Sequence, residues 1–153
     1  MKYEVLEYDG LNNTPAVNLI AMAQVELLAN GYGPRELQGA WDQQALVAIP
    51  VASAYRHPHQ AVGLITYSHE KWRKLIWIHL GYVAPEFRGR GVYRLLWDRL
   101  VIAARKAKAL EIHGGTSVKN SAMLECARKL GREQVYITTR FVVPPEPPKR
   151  KSK

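Results

Sequence analysis

A short stretch that combines two arginines with two glycines, residues 88–93, is the part of the sequence best suited to binding an anion. Gly89 and Gly91 allow the backbone to approach a phosphate group closely, because glycine has no side chain. Arg88 and Arg90 add cationic hydrogen-bond donors that suit phosphate oxygens. A helix that begins at this loop would add free N–H groups and the positive end of its dipole. The pattern predicts a pyrophosphate-binding loop, with a tight solvated turn as the simpler alternative.

The segments on either side of the loop strengthen this prediction. Residues 75–83 form an apolar run typical of a strand, and apolar residues recur at helical spacing from Gly91 to about Leu110. A phosphate-binding loop requires this order of strand, loop and helix. Two other kinds of phosphate loop do not fit. The sequence lacks the Gly-Lys-Ser/Thr ending of a Walker loop and the third glycine of a dinucleotide-binding loop.

Residues 83–92, Val-Ala-Pro-Glu-Phe-Arg-Gly-Arg-Gly-Val, resemble the acetyl-CoA signature of the GNAT superfamily of N-acetyltransferases, which reads Arg/Gln-x-x-Gly-x-Gly/Ala. Arg88 and Gly91 match this pattern, whereas Tyr93 stands where a small residue is usual. Residues 120–131 are also similar to the family, with a helix that is led by asparagine and ends in Lys-Leu-Gly. The order of the predicted elements agrees with the family over nearly the whole chain.

The resemblance implies an N-acetyltransferase that transfers an acetyl group from acetyl-CoA directly to an amine of a small molecule or protein. The pantetheine amides would pair with the strand backbone where the sheet splays, and the loop would hold the pyrophosphate. No metal site is expected. The cofactor-binding residues implied in this way are Gly81, Tyr82, Val83, Arg88, Gly89, Arg90, Gly91, Val92, Tyr93 and Asn120.

Proton transfer needs a base for the ammonium group and an acid for the departing thiolate. His79 is the first candidate for the base, because an imidazole titrates near neutral pH. On an alternating strand it would share a face with Trp77 and Gly81. The alternative to a catalytic role is a histidine that only packs in the fold or lies on its surface. The family's usual tyrosine acid is replaced by Ala127, so Tyr93 is a candidate acid. Weaker candidates are Glu26 and Glu70 as bases and Tyr82 and Tyr136 as acids.

Length and composition restrict the class of protein. A chain of 153 residues has the size of one domain. Its net charge of +9 favours anionic ligands without distinguishing nucleotides, nucleic acids and acidic proteins. The single cysteine, Cys126, excludes an intramolecular disulfide and a cysteine-rich zinc site. With no signal peptide or spanning segment in the sequence, we expect a cytoplasmic protein without a membrane partner.

The pattern along the chain predicts a single-domain α/β fold. Its sheet is expected to be mixed and mostly antiparallel, flanked by helices, with a splayed central strand pair implied by the resemblance. Residues 1–143 would form the domain, and residues 144–153 a flexible, proline-rich basic tail. The predicted strands are 3–8, 46–51, 61–67, 75–83, 111–118 and 134–143, and the predicted helices are 15–30, 34–41, 91–110 and 120–131.

Two other functions stay open at the level of sequence. The changes at Tyr93 and Ala127 are compatible with a non-catalytic acyl-CoA sensor or interaction module. The basic tail is compatible with a nucleic-acid-associated adaptor, although a solvated tail that aids solubility is the preferred explanation of its charge. The sequence does not identify the amine acceptor, and a homodimer through the final strands is compatible with the architecture.

Overall fold

The computed structural model of the chain describes residues 1–12, 14–30, 43–51 and 60–135. The predicted helix 34–41, most of the predicted strand 134–143, Tyr136 and the tail 144–153 lie outside these residues. The chain divides into two compact units, Met1–Ser117 and Val118–Lys153.

A five-stranded sheet with the strand order β1-β2-β3-β4-β5 forms the centre of the first unit. The first four strands are antiparallel to their neighbours, and β5 runs parallel to β4. This is the mixed, mostly antiparallel sheet that the sequence predicts. The strands are β1 (Tyr3–Asp9), β2 (Gln44–Pro50), β3 (Gly63–Glu70), β4 (Leu75–Val83) and β5 (Glu111–Gly114).

Helices α1 (Val17–Ala29) and α2 (Val92–Lys106) lie on opposite faces of this sheet. Tyr82 in β4 reaches Glu26 in α1 with its hydroxyl group. Gly63 in β3 faces α2, where an added Cβ would lie 2.9 Å from Val92 Cγ1. Since Gly63 pairs with Val83, the neighbouring residues Tyr82 and Val83 point to opposite sides. We call these sides the α1 face and the α2 face.

Strand β2 is almost entirely apolar and lies in the core of the protein. Its residues 45–50 are all buried, as expected for a central strand that is covered on both faces. On α2, Leu96, Leu100 and Ala104 are buried at intervals of four residues, which places them on one side of the helix. Burial of this apolar stripe fixes α2 against the sheet.

The sheet opens between β4 and β5. These strands pair from Leu75 and Glu111 to Ile78 and Gly114, but β4 continues to Val83. Residues 79–83 therefore have no partner strand on the β5 side within the part of the chain that the structure describes. This is the predicted splayed pair. The predicted strand 111–118 is too long, because two consecutive glycines at 114 and 115 favour its end.

Two other element boundaries differ from the prediction. Helix α2 ends at Lys106, not near Leu110, because Lys108 adopts a left-handed conformation with φ of 56°. The Leu110 N–H group then bonds to the Lys74 carbonyl at 2.7 Å, which joins the turn after α2 to the turn before β4. Strand β3 begins at Gly63 and extends to Glu70.

The second unit contains helix α3 (Ser121–Lys129) among its described residues. Asn120 caps this helix as predicted, since its Oδ1 atom accepts a 3.0 Å hydrogen bond from the Met123 N–H group. Gly131 follows the helix with φ of 76°. Cys126 is half-buried, and burial raises the pKa of its thiol, which suits a packing role.

Candidate functional site

The glycine loop, residues 88–91, follows β4 after one short turn, and its residues are exposed. A 3-10 turn, Pro85–Phe87, leads into it and is anchored by the buried Phe87 side chain. Gly89 and Gly91 have φ values of 74° and 80°, which side chains other than glycine rarely adopt. No atom lies within 4 Å of a Cβ built at either glycine. The loop therefore offers room for a ligand beside its backbone.

The beginning of α2 completes this anion-binding geometry. Gly91 is the N-cap residue, and it has no side chain with which to cap the helix. The Leu95 N–H group makes a bond to the Gly91 carbonyl at 3.0 Å, and the first N–H groups of any α-helix lack carbonyl partners within it. Such a helix end attracts phosphate through its amides and its dipole. The arrangement suits a pyrophosphate.

Arg88 is bonded to neighbouring protein groups. Its Nη2 atom donates to Glu26 Oε2 at 2.7 Å, and its Nε atom donates to the Val83 carbonyl at 2.9 Å. The Tyr82 hydroxyl donates to the same Glu26 oxygen at 3.0 Å. We call Glu26, Tyr82, Val83 and Arg88 the Glu26 cluster. It ties α1 to the end of β4 and to the loop, so Arg88 positions the loop.

The pKa shifts in the Glu26 cluster agree with these contacts. The hydrogen bond from Arg88 is the main cause that lowers the pKa of Glu26, and burial opposes it. Burial, with help from the Glu26 hydrogen bond, raises the pKa of Tyr82 to about 12. Tyr82 therefore stays protonated and directs its proton to Glu26, which disfavours it as the acid for a thiolate.

Arg90, the second arginine of the loop, has a different environment. Its guanidinium carbon lies 5.5 Å from the centre of the Phe87 ring, and the side chain is exposed. No carboxylate lies within ion-pair distance of it among the described residues. Arg90 is thus the loop cation that can turn toward an external anion.

His79 lies at an irregularity of β4. Thr66 pairs with Leu80 and Tyr67 pairs with Ile78, so His79 is the extra residue of a bulge. Its Nε2 atom lies 2.8 Å from Ser68 Oγ, on the α1 face of the sheet. Burial lowers the pKa of His79, against the opposing effect of nearby Glu70, so the ring is neutral at neutral pH.

The bulge corrects one prediction about this strand. Trp77 pairs with Ser68 and shares the α1 face with His79, as expected. Gly81 pairs with Ile65 and faces α2, because the extra residue reverses the alternation between positions 79 and 81. The expected common face of His79 and Gly81 is therefore wrong.

Tyr93 packs against Gly81 on the α2 face. A Cβ built at Gly81 would lie 2.9 Å from Tyr93 Cε2 and 3.0 Å from its hydroxyl oxygen, and that oxygen is buried. The aromatic ring fits because Gly81 has no side chain. The side chains of Tyr93 and His79 therefore lie on opposite faces of the sheet, near the part of β4 where the sheet opens.

Strand β5 carries a histidine and carboxylate pair that was not predicted from the sequence. His113 Nε2 lies 2.6 Å from Glu111 Oε2, and His113 pairs with Trp77 across the two strands. Their ring centres are 6.3 Å apart. The Glu-x-His spacing on a strand was the available signal, since residues two apart share a face. Ser68 was also missed, because a serine on a strand carries no distinctive pattern.

The other predicted site residues lie elsewhere. Asn120 is in the second unit, where its side chain caps α3. Glu70 is the last residue of β3, and its carboxylate pairs with Arg73 at 3.1 Å. The described residues contain no group of three or more histidine, cysteine or acidic side chains that could hold a metal ion. They also contain no helix with the length and apolar character needed to cross a membrane.

A model of the acetyltransferase (GNAT) family matches residues 24–131, which is more than half of the chain. The chain belongs to this family. The matched residues include β4, the glycine loop, α2 and α3, and they cross the boundary between the two units. Membership confirms the predicted family and the single-domain GNAT-like fold class, and it supports the predicted acyltransferase class.

Several solved structures share this fold, and two of those described below are named as acetyltransferases. The aminoglycoside N-acetyltransferase AAC(6')-Iy, in complex with the bisubstrate analogue CoA-S-monomethyl-acetylneamine, is 18% identical with a TM-score of 0.64, covering 94% of this chain and 99% of that chain. An aminoglycoside acetyltransferase from an uncultured soil metagenomic sample is 19% identical with a TM-score of 0.60, covering 94% and 100%. An integron cassette protein from the mobile metagenome of Vibrio cholerae is 14% identical with a TM-score of 0.68, covering 94% of each chain. No curated protein sequence matches significantly.

Proposed function

We propose that this GNAT-family protein binds acetyl-CoA at the glycine loop and transfers the acetyl group directly to an amine. The observation that carries this proposal is the open loop at residues 88–91, which lies between the unpaired end of β4 and the uncapped start of α2. Complexes of the relative AAC(6')-Iy with CoA and with a CoA-containing bisubstrate analogue support the choice of donor.

The residues present suit the chemical parts of acetyl-CoA. The backbone of Gly89, Arg90, Gly91 and Val92 would bind the pyrophosphate, with Arg90 as the cationic side chain. The unpaired edge of β4 at 79–83 would bind the pantetheine amides, in the way that an extended peptide adds to a sheet edge. Arg88 would act through the Glu26 cluster by holding the loop in place. Asn120 would act through its cap of α3.

His79 is our candidate for the base. Its neutral ring would take one proton from the acceptor's ammonium group, and the freed nitrogen would then attack the thioester carbonyl. Ser68 would fix the orientation of the ring through its 2.8 Å contact with Nε2. A C–N bond forms and the C–S bond breaks, while backbone N–H groups stabilise the oxyanion that develops.

Tyr93 is our candidate for the acid. The departing thiolate must gain a proton, and the attacking nitrogen must lose a second one to become an amide. A phenol on the α2 face can give its proton to the thiolate and recover one from the nitrogen through water. With the base on one face of β4 and the acid on the other, the two proton transfers would be separated in space.

The acceptor in this proposal is a primary amine of a small molecule or a protein. Aminoglycosides are one class to test, because two of the similar structures are aminoglycoside acetyltransferases. The cytoplasmic location, the homodimer, the domain boundary at 143 and the nucleic-acid role of the tail stay predictions from the sequence.

The first experiment is calorimetry of acetyl-CoA binding to the parent protein and to Arg88→Ala, followed by a thiol-release assay across a panel of amines. We expect binding by the parent, weaker binding by the variant, and turnover with at least one amine. Binding without turnover across a wide panel would favour the acyl-CoA sensor. No binding of acetyl-CoA or longer acyl-CoAs would overturn the proposal.

A further inference from the structure

A second cationic surface lies at the other end of β4, away from the glycine loop. It consists of the 3-10 turn Lys71–Arg73, the end of α2 and the turns that follow each of them. The hydrogen bond from the Leu110 N–H group to the Lys74 carbonyl holds these segments together. We call this surface the basic tip. Its members are Lys71, Trp72, Arg73, Lys74, Arg105, Lys106, Lys108 and Leu110.

The charge of the basic tip is largely uncompensated. All six of its lysines and arginines are exposed, and among the residues that the structure describes only Arg73 forms an ion pair, with Glu70. The other five have no carboxylate within ion-pair distance in the described ranges of the chain. Glu111, the next acidic residue, is bonded to His113. The dipole of α2 explains Arg105 and Lys106 but not the remaining lysines.

Two large apolar side chains project from the same surface. Trp72 is 85% exposed and Leu110 is 78% exposed, although both residues have large apolar groups. The Arg73 guanidinium carbon lies 5.6 Å from the centre of the Trp72 ring. An exposed tryptophan, an exposed leucine and several cations on one surface are typical of proteins that enter the boundary between lipid headgroups and acyl chains.

The backbone of the basic tip is unusual as well. Lys74 and Lys108 have φ values of 52° and 56°, and they are the only residues other than glycine with positive φ among those described. The left-handed conformation is unfavourable for a residue with a side chain, and glycine would adopt it more easily. Lysine at both positions therefore adds two cations at some conformational cost.

From this combination we infer that the basic tip docks on the surface of an anionic lipid bilayer. Each lysine or arginine near such a surface contributes about 1 kcal/mol of attraction, and stable binding requires a second, apolar signal. Trp72 and Leu110 supply that signal. A nucleic acid fits less well, because an aliphatic side chain such as Leu110 does not stack with bases as Trp72 would.

The position of the basic tip allows docking and ligand binding at the same time. Strand β4 begins at the tip and ends at the glycine loop, so its nine residues separate the two by roughly 25–30 Å. The docked protein would keep the loop away from the bilayer. This peripheral contact departs from the expectation of no membrane partner, which rested on the lack of a spanning segment in the sequence. It does not depend on the proposed acetyl transfer.

The test is sedimentation of the full chain with vesicles of phosphatidylcholine alone and with 30% phosphatidylserine (about a third anionic, to give a strong surface potential). We expect binding only to the anionic vesicles, with a loss on raising the salt concentration. Lys71→Gln with Lys74→Gln should weaken partitioning by about fivefold for each charge removed. Trp72→Ser with Leu110→Ser should weaken it by about tenfold.

Matched controls separate the basic tip from other parts of the chain. Lys2→Gln with Arg99→Gln removes two exposed cations elsewhere, and Val25→Ser removes an apolar side chain that is 71% exposed on α1. Both should bind vesicles like the parent. Replacement of all four tail cations with glutamine should also leave most of the binding. The tail residues are Lys149, Arg150, Lys151 and Lys153.

Three results would overturn the inference. The first is no binding to anionic vesicles by a folded parent. The second is binding that the tail variant loses and the tip variants keep. The third is Trp72-dependent binding to a single-stranded oligonucleotide, measured by fluorescence anisotropy, without binding to vesicles. Thermal melting of each variant checks that a loss of binding does not come from unfolding.

Discussion

The two ends of β4 both carry clusters of lysine and arginine, but the cations are used differently. At the end of the strand, Arg88 is bonded to Glu26 and to the backbone of Val83. At the beginning, Lys71 and Lys74 have no ion-pair partner among the residues described. In the proposed site, anion binding at the loop would therefore rest mainly on backbone N–H groups, whereas the inferred docking of the basic tip would use its exposed side-chain charges. A count of positive residues does not distinguish these two roles.

Replacing Gly91 with glutamate tests the role of the backbone at the loop and should have the largest effect. The residue has φ of 80°, which disfavours any side chain, and a carboxylate there would repel a pyrophosphate. We expect the Kd for acetyl-CoA to rise about 100-fold or more, measured by calorimetry. Gly115→Ala is the matched control, because its φ lies outside the left-handed region and no atom lies within 4 Å of an added Cβ. Unchanged binding by Gly91→Glu would contradict a backbone site.

His79→Gln tests whether a side chain on β4 carries the chemistry. We expect kcat to fall by about 100-fold or more, since general base catalysis contributes this much, with little change in the Kd for acetyl-CoA. In the parent, kcat/KM should decline only below the usual histidine pKa, because burial lowers the pKa of His79 and protonation removes the base. His69→Gln, on the other face of the sheet, is the control. An unchanged acid limb in His79→Gln would rule out this histidine as the base.

Arg90→Gln compares the two cationic ends directly. Losing a charge-assisted contact with the pyrophosphate should raise the Kd for acetyl-CoA by about tenfold, and the salt dependence of binding should decrease. Lys74→Gln removes the same charge from the basic tip and should leave this Kd unchanged. Equal effects of both variants would show that overall charge, rather than a local contact, controls donor binding.

Glu26→Gln should have the smallest effect, because its pair with Arg88 is partly exposed and such pairs contribute about 0.2–1 kcal/mol. The pKa of Glu26 is held below its ordinary value near 4.5, mainly by the Arg88 hydrogen bond. The carboxylate therefore stabilises the fold fully above that value, and the contribution disappears as the pH falls through the lowered pKa. Urea unfolding of parent and variant should differ at pH 7 and converge in acid. A constant difference across this range would exclude an ionic origin.

The parts of the fold that follow from local pattern were predictable. Strand β4 has the predicted bounds 75–83 because its apolar run is bounded by charged residues and Pro85. The glycine loop and the Asn120 cap were also predictable, since glycine and asparagine have strong positional preferences. The end of α2 was not, because the left-handed conformation of Lys108 is unusual for lysine.

The geometry of the candidate site depends on contacts that no local pattern encodes. Glu26 and Arg88 are far apart in sequence, so their ion pair appears only in the folded chain. The bulge at His79 changes which side chains share a face, and its position depends on how β3 and β4 pair. The sequence is therefore sufficient to propose candidate residues, but it does not show the directions in which their side chains point.

The contact between Tyr93 and Gly81 also restricts the paths by which this chain could diverge. An alanine at Gly81 would place its methyl group 2.9 Å from the Tyr93 ring, so that substitution is poorly tolerated while the tyrosine is present. Once Tyr93 has been replaced by a small residue, alanine at position 81 meets no such obstacle. The order of the two substitutions therefore matters, and homologues should gain side chains at position 81 only in lineages that have already lost the aromatic ring at position 93.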